Sequence, residues 1–352
     1  MTIYDELPAI YRIKRAQTDV DRIANEFYEA SLDLDPVLAT EHGRTGVETL
    51  FGDYSPAGEE AYAKLVKKTL KKLDKVIPID DTDLVTLDAM QERLTLTRQM
   101  RRAGLGRWQL NNIFSAPQQI RTSFDLMSRE NERDWAHIAG RLANVPGAID
   151  GFIQTLEAAR AEGKVSPRRQ VQVVIEQAEA YIADGGFFDA LAAEITAAAP
   201  AITEQAREGA QAAKDGYRAL IVYLRDTLLP EAPSKDAVGR ELYTLYSRES
   251  LGASIDLDET YAWGVQELER IITEQHTVAS EIEPGASIER AKELLDMDPV
   301  RALHGTEALQ EWMQTHADTA VEALAGTHFD IGGPMLNIEC RIAPTHEGGI
   351  YY

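Results

Sequence analysis

Residues 178–233 read AEAYIADGGFFDALAAEITAAAPAITEQAREGAQAAKDGYRALIVYLRDTLLPEAP, and this alanine-rich stretch decides the fold class. A glycine pair at 185–186 and Pro200 interrupt the stretch, and Pro230 and Pro233 close it. This punctuation is typical of helices joined by short turns. Small side chains let such helices pack closely. The stretch therefore predicts a helical hairpin, and nothing in it is typical of a cofactor-binding motif.

The helical pattern continues over most of the chain. Apolar residues recur at three- and four-residue steps from Asp19 to Leu34, and Thr18 or Asp19 is placed to cap the first free amides. Ser55 followed by Pro56 predicts the start of a second helix, which ends before Pro78. Further helices are predicted at residues 82–102, 128–142, 146–161, 167–183, 201–229, 237–248, 257–280, 286–295 and 306–325.

The pattern changes near the end of the chain. In MLNIECRIAP, residues 335–344, apolar and polar side chains alternate from Leu336 to Ile342, as expected for a strand with one buried face. THEGG at 345–349 supplies turn residues, and Ile350 begins a β-branched and aromatic end typical of another strand. The predicted fold class is mainly α, a multi-helix array with a short β element near the C-terminus.

One segment separates the helical patterns. LPEAPSKD, residues 229–236, places two prolines between them and predicts a boundary between subdomains. The chain then divides into a helical region at 1–230 and a helical region at 236–352 that ends in one or two β-strands. We expect the two regions to pack as one cleft-forming unit.

The charge balance restricts the partners. The chain of 352 residues has 36 basic and 58 acidic residues and a formal charge of -22, which would repel nucleic acid and anionic membrane surfaces. Its start has no basic segment followed by an apolar one, and no later apolar run is long enough to span a bilayer. The lone Cys340 fits a reducing compartment. We therefore expect a cytoplasmic protein without nucleic-acid or membrane partners.

The sequence contains no recognisable catalytic or metal-binding motif. His346 and Glu347 match the first half of a His-Glu-x-x-His zinc site, but the fifth position is Ile350 and two glycines intervene. The seven histidines never fall as a pair four residues apart. Aspartate clusters precede predicted helices, where capping explains them. We predict neither catalytic residues nor metal ligands in this chain.

Three segments carry a family resemblance. FYEASLDLDPVLATEHG at 27–43, VGRELYTLYSRESLGASIDLDETYAWGVQELERI at 238–271 and IECRIAPTHEGGIYY at 338–352 together resemble the bacterial domain-of-unknown-function 885 family. The residues that match its signatures are Asp35, Pro36, Ala39, Thr40, Gly43, Gly239, Arg240, Leu251, Gly252, Tyr261, Gly264 and Glu267.

The resemblance implies a zinc-metallopeptidase-like protein, of which this chain is the amino-terminal portion. The family's His-Glu-x-x-Pro-Gly-His-His helix lies downstream of the element that matches Gly348 to Tyr352, so zinc is expected in a full-length relative and not in this chain. In such peptidases a strand before the zinc helix lies at the cleft edge and pairs with extended substrate. The expected substrate-binding residues are Gly348, Gly349, Tyr351 and Tyr352.

Two functional hypotheses follow. In the first, the chain forms the cleft of a zinc-dependent, peptidase-like hydrolase, is inactive alone, and binds a peptide or amino-acid conjugate. Exposed apolar cleft surface would then favour self-association. In the second, the chain is a self-sufficient helical binding or scaffold protein without catalysis. Whether the chain belongs to an enzyme stays open on sequence alone.

Overall fold

A computed structural model describes residues 15–125 and 127–343, which are mainly α-helical, as predicted. Residues 16–254 form one compact unit, and residues 255–343 belong to a second. The predicted regions 1–230 and 236–352, and their packing as one cleft-forming unit, stay predictions.

The first unit consists of helices joined by turns and longer loops. They are α1 (Asp19–Leu34), α2 (Pro36–Glu41), α3 (Pro56–Leu73), α4 (Asp81–Arg102), α5 (Ala116–Thr122), α6 (Glu132–Ala161), α7 (Arg168–Ile182), α8 (Phe187–Ala198), α9 (Thr203–Tyr223) and α10 (Arg240–Leu251). Local chemistry explains their starts. Thr18 and Asp21 exchange side-chain and backbone hydrogen bonds of 3.1 and 3.0 Å in a capping box at α1, and Ser55 caps α3 ahead of Pro56.

The main core lies among α6, α7, α8 and α9. Its fully buried side chains include Phe152, Phe188 and Tyr217. Helix α9 lies close against α6 because glycines face it. A Cβ added to Gly209 would lie 3.0 Å from the Leu142 Cβ, and one added to Gly216 would lie 3.1 Å from the Pro146 Cα. The small residues of the alanine-rich stretch thus permit this close packing, as the sequence predicts.

The prediction of two separate helices around Pro146 is wrong. The sequence predicts separate helices at 128–142 and 146–161, whereas the structure has one continuous helix with Pro146 inside it. Proline in a helix interior removes a hydrogen bond and costs about 3 kcal/mol. Buried residues on both sides of the proline, including Leu142 and Ile149, anchor both halves in one core and outweigh this cost.

A smaller apolar cluster joins the first helices. Val66 and Leu70 on α3 pack with Leu94 on α4, and Ile23 and Phe27 of α1 lie against them. This arrangement leaves the loop after α2 at the surface, where it helps to form the site described below.

The second unit contains α11 (Leu257–Ile282), α12 (Ile288–Met297) and α13 (Thr306–Leu324). Of its described residues, only Ala279 and Ala291 are buried. The helices and turns of this unit, as far as the structure describes them, therefore enclose little apolar side-chain volume of their own.

The predicted strand near the C-terminus is wrong within the described residues. Gly333–Leu336 form a 3-10 turn, residues 337–343 belong to no sheet, and the described β structure is one bridge between Ala325 and Phe329. A strand needs a neighbouring strand for its backbone bonds. Here side chains of α13 take that place: Gln314 and Gln310 donate to the carbonyls of Ile338 and Cys340 at 2.7 and 2.8 Å, and the Cys340 amide donates to Gln314.

Candidate functional site

The predicted cleft-edge residues lie outside the described residues. These are Gly348, Gly349, Tyr351 and Tyr352, and the turn residues His346 and Glu347 lie there too. Their role in binding an extended substrate stays a prediction.

A cavity of about 380 Å³ opens in the first unit beside the DPVLATEHG segment. We call it the α6 cavity. One wall is the loop from the end of α2 onward, and the other is the start of α6 with the residues before it. The charged and polar side chains used below are Thr40, Arg44, Glu48, Arg133, Asp134 and His137.

The start of α6 is fixed by a cap. The Asn131 side chain accepts hydrogen bonds from the amides of Arg133 and Asp134 at 3.0 and 3.2 Å. The Ser128 hydroxyl, the Glu130 amide and the Asn131 side chain all donate to Asp134 and hold the pKa of its carboxyl below the usual range. Asp134 is therefore engaged in holding the helix start.

Two further α6 side chains line the cavity. Arg133 and His137 are four residues apart, so they lie on the same helix face one turn from each other. Neither forms an ion pair within the part of the chain that the structure describes. The α6 wall thus offers one permanent cation and one imidazole to whatever occupies the cavity.

The opposite wall turns sharply after α2. Gly43 has φ of +77°, a left-handed conformation that favours glycine, and Arg44 donates its amide to the Ala39 carbonyl at 2.9 Å. The Arg44 guanidinium lies 2.7 Å from Asp33, which neutralises its charge. The left-handed backbone conformation at position 43 explains why this position, which matches a family signature, is a glycine.

Glu48 is the acidic side chain of this wall. Burial would raise the pKa of Glu48, but hydrogen bonds from the backbone amides of Glu48 and Gly46 and the proximity of His137 and Arg133 outweigh it and lower the pKa. The Gly46 amide donates to the carboxylate at 2.7 Å. Glu48 is therefore ionised near neutral pH. Arg133 and His137 on the opposite wall influence the pKa of Glu48, although no ion pair of the described residues joins Glu48 to either of them.

A buried arginine lies beneath Thr40. Arg141 is 1% exposed and donates to the Thr40 hydroxyl at 2.8 Å and to the Ser123 carbonyl at 3.1 Å. Burial lowers the pKa of its guanidinium to about 10, against the opposing effect of nearby negative groups, Glu41 foremost. Within residues 15–125 and 127–343, its Nε has no hydrogen-bond partner. Arg141 joins the DPVLATEHG segment to α6 and places positive charge under the cavity.

Sequence reasoning missed Arg141, Glu48 and the α6 residues of this cavity. It singled out Thr40 and Gly43 only through the family resemblance. A basic residue within an amphipathic helix is typical of a solvated face. No local signal marks Arg141 as buried, because its neighbours Thr40 and Ser123 are distant in sequence.

The described residues do not fit a zinc site. Among residues 15–125 and 127–343, no three histidine, cysteine or carboxylate side chains gather in a way that could hold a metal ion. A catalytic zinc site needs three such ligands and an open position for water. The expectation that zinc belongs to a longer relative stays a prediction.

The second unit carries many exposed apolar side chains. Tyr261 is 76% exposed, Trp263 is 62% exposed and Val300 is 91% exposed. Others on α11 and α13 are Leu268, Ile271, Ile272, Val278, Leu309, Trp312 and Met313. Large exposed apolar surface on a soluble protein commonly marks a place where another surface packs.

Comparison with known proteins gives a family and a fold. The family model described as "Bacterial protein of unknown function (DUF885)" matches residues 36–352. No curated protein matches the chain.

Two solved structures have a similar fold. A putative lipoprotein from Colwellia psychrerythraea superposes with a TM-score of 0.63 at 16% identity, covering 87% of this chain and 60% of that one. A putative lipoprotein of unknown function from Shewanella oneidensis gives a TM-score of 0.57 at 14% identity, covering 88% and 57%. The chain thus spans about 60% of the length of these proteins. In the part of the chain that the structure describes, no helix is both long and apolar enough to cross a membrane.

Proposed function

We propose a function from the premise that this chain belongs to the DUF885 family of bacterial proteins. The chain forms helical walls of a substrate cleft in a zinc-dependent, peptidase-like hydrolase. Its substrate is a peptide or an amino-acid conjugate. The hydrolase part of this proposal rests on the resemblance of the family to zinc metallopeptidases.

The exposed apolar surface of the second unit is the observation that carries the proposal. Side chains such as Trp263 and Trp312 lie on helices whose described residues bury almost no apolar side chains. Covering an apolar surface of this kind with another polypeptide segment removes it from water and lowers the free energy of the protein. The similar solved structures are longer than this chain, and such additional length can supply a covering segment.

The described side chains of this chain support a role in substrate binding and not in hydrolysis. Hydrolysis at zinc requires ligands and a base within reach of the metal-bound water. The described residues offer no such cluster. Walls that hold a substrate in register contribute orientation, which can lower a barrier substantially. We therefore expect the 352-residue chain to bind substrate and not to hydrolyse it.

A second candidate function is a helical binding or scaffold protein without catalysis. The complete core of the first unit favours it. Residues such as Phe152, Phe188 and Tyr217 are wholly buried among helices of that unit, so its described residues form an apolar core of their own. A stable unit with a small-molecule cavity can serve as a binding protein by itself.

The first experiment is the intact mass of the protein purified from its bacterial host, followed by a peptidase assay with and without a metal chelator. A chain heavier than 39.0 kDa with chelator-sensitive peptide hydrolysis supports the hydrolase. A heavier chain whose peptide hydrolysis is absent or indifferent to chelation contradicts it. A mass of 39.0 kDa favours the binding or scaffold function.

The cleft-edge role of the last residues has its own test. In an active form, Tyr351→Phe and Tyr352→Phe should each raise KM for a peptide substrate if the phenolic hydroxyls contact it. Unchanged KM and turnover in both variants would contradict this role. The glycines at 348 and 349 are proposed to allow the close backbone approach that strand addition requires.

We further propose a cytoplasmic location and no nucleic-acid or membrane partner. The formal charge of -22 supports the exclusion of polyanionic partners. The solved neighbours bear the description of putative lipoproteins, so a membrane-anchored location is the competing outcome. Fractionation of host cells with an antibody to the chain distinguishes the two.

A further inference from the structure

We propose that the α6 cavity binds a small zwitterion, a molecule with a free carboxylate and a free ammonium group. Arg133 and His137 receive the carboxylate, and Glu48 receives the ammonium. Amino acids and short peptides share this chemistry. The inference rests on the cavity's own residues and holds whether or not the chain is part of a hydrolase.

The carboxylate end is assigned by the unpaired cation on α6. Arg133 is exposed, lines the cavity and has no ion-pair partner in residues 15–125 and 127–343. A guanidinium binds a carboxylate through two parallel hydrogen bonds, which makes such pairs stronger than neutral ones. His137 lies one turn along the same face and adds a ring nitrogen beside it.

The ammonium end is assigned by Glu48. Its carboxylate is half-buried and accepts a hydrogen bond from the Gly46 amide at 2.7 Å. A carboxylate has about four acceptor positions. The remaining positions can accept hydrogen bonds from an ammonium group, and the charge of Glu48 is not cancelled by a direct ion pair within the described chain.

The other charged side chains of the cavity are already engaged. Arg44 pairs with Asp33 at 2.7 Å, and Asp134 accepts three hydrogen bonds at the start of α6. Neither side chain needs a ligand. The charges left for a ligand are therefore opposite in sign and sit on opposite walls.

This arrangement disfavours ligands with one charge. A simple anion at Arg133 would face Glu48, and a simple cation at Glu48 would face Arg133 with Arg141 buried beneath Thr40. A zwitterion satisfies both walls at once. The cavity volume of about 380 Å³ is within the range of small-molecule sites.

The test is a calorimetric titration of the 352-residue chain with alanine, alanyl-alanine and trialanine, and with alanyl-alanine that is N-acetylated or C-amidated. We expect saturable binding of at least one free zwitterion, and the length series shows whether the site takes an amino acid or a peptide. Each capped form should bind about tenfold more weakly, since it loses one charge-assisted contact. Absence of binding by all three free forms overturns the proposal, as does equal binding of capped and free forms.

Two variants test which residue binds the carboxylate of the ligand and which binds its ammonium group. In Arg133→Gln, the preference for the free over the C-amidated dipeptide should shrink, because the carboxylate loses its guanidinium partner and keeps only the His137 ring nitrogen. In Glu48→Gln, the free and N-acetylated dipeptides should bind alike. Arg102→Gln and Glu208→Gln remove exposed charges elsewhere in the first unit and serve as matched controls that keep the wild-type preferences.

The variants also separate a lost ligand contact from a lost fold. Circular dichroism melts of all four should match the wild type, because the substituted side chains are at most half-buried. If Arg133→Gln melts as the wild type does and keeps the full wild-type preference for the free over the C-amidated dipeptide, the assignment of the carboxylate to Arg133 is wrong. Failure of peptide hydrolysis in the host protein would contradict the proposed hydrolase and leave this binding result unaffected.

Discussion

Gly209 and Gly147 are helical glycines in opposite surroundings. A Cβ at Gly209 would meet Leu142 at 3.0 Å and the Ala139 carbonyl at 3.1 Å, whereas no atom of the described residues lies within 4 Å of one at Gly147. Gly209→Leu should lower the free energy of unfolding by ~1–3 kcal/mol, because it separates α9 from α6. Gly147→Leu should raise it by up to ~0.8 kcal/mol through helix propensity.

Urea denaturation followed by circular dichroism measures both changes, with Gly147→Leu as the matched control. Equal effects of the two substitutions would mean that the close approach of α9 to α6 does not contribute to stability. A stabilising Gly209→Leu would mean the same.

The ionised Glu157 carboxylate on α6 is hydrogen-bonded to Tyr223 on α9. Its carboxylate accepts hydrogen bonds from Arg160 at 2.7 and 2.8 Å and from the Tyr223 hydroxyl at 2.9 Å, and these contacts, Arg160 first, lower the pKa of Glu157 to about 2. A carboxyl whose folded pKa is depressed stabilises the fold above its unfolded pKa, and that contribution is lost as the pH falls through the folded pKa.

The Glu157→Gln variant should therefore be less stable than the wild type at neutral pH, and the difference should shrink between the unfolded pKa of about 4.5 and the folded pKa of about 2. Thermal melts at a series of pH values measure it. Glu208→Gln removes an exposed carboxylate on α9 as a control for the lost charge. A difference between Glu157→Gln and wild type that stays constant with pH would contradict the assignment.

At the scale of the element, α10 is held by polar contacts. None of its residues is buried. Arg248 forms an ion pair with Glu92 on α4, and Arg93 donates to the Glu249 carbonyl at 2.6 Å. A helix attached in this way should open locally more easily than helices that bury apolar residues.

Arg248→Gln should make amides of α10 exchange with solvent up to ~5-fold faster, because a partly exposed ion pair contributes up to ~1 kcal/mol. Hydrogen exchange by mass spectrometry measures this against α6, which should not change. Arg218→Gln removes a comparable but intrahelical pair with Asp215 and should leave α10 unaffected. Unchanged α10 exchange in Arg248→Gln would show that other contacts hold the helix.

At the scale of the whole molecule, the two units differ in how much apolar surface they bury. The first has a continuous core, and the described residues of the second bury only Ala279 and Ala291. Because buried apolar area supplies most of the free energy of folding, helices of the second unit should be the less protected from exchange.

We therefore expect faster amide exchange in residues 257–324 than in residues 132–223, and binding of a hydrophobic dye. Replacing Tyr261 and Trp263 together by serine should reduce the dye signal without changing the unfolding of the first unit. Equal protection of both units, together with no dye binding, would contradict this expectation. Sedimentation of the same samples shows whether the exposed surface leads to self-association.

Local sequence determined where most helices begin and end. Thr18, Ser55 and Asp256 act on amides a few residues away, so their capping role is readable without knowledge of the fold. The glycine pair at 185–186 and Pro200 likewise separate α7, α8 and α9 where the pattern predicts. The mainly α class follows from such local interactions.

Tertiary structure decided the features that depend on distant partners. Pro146 stays within α6 because both halves of the helix pack in one core, and the alternating segment after Leu336 forms no described strand because Gln314 of α13 bonds its backbone. The α6 cavity joins the loop after α2 to a helix about ninety residues later in the chain. Arg141 is buried there because Thr40 and Ser123 supply its hydrogen bonds. Sequence patterns report neighbours along the chain, and these contacts exist only once the helices have packed.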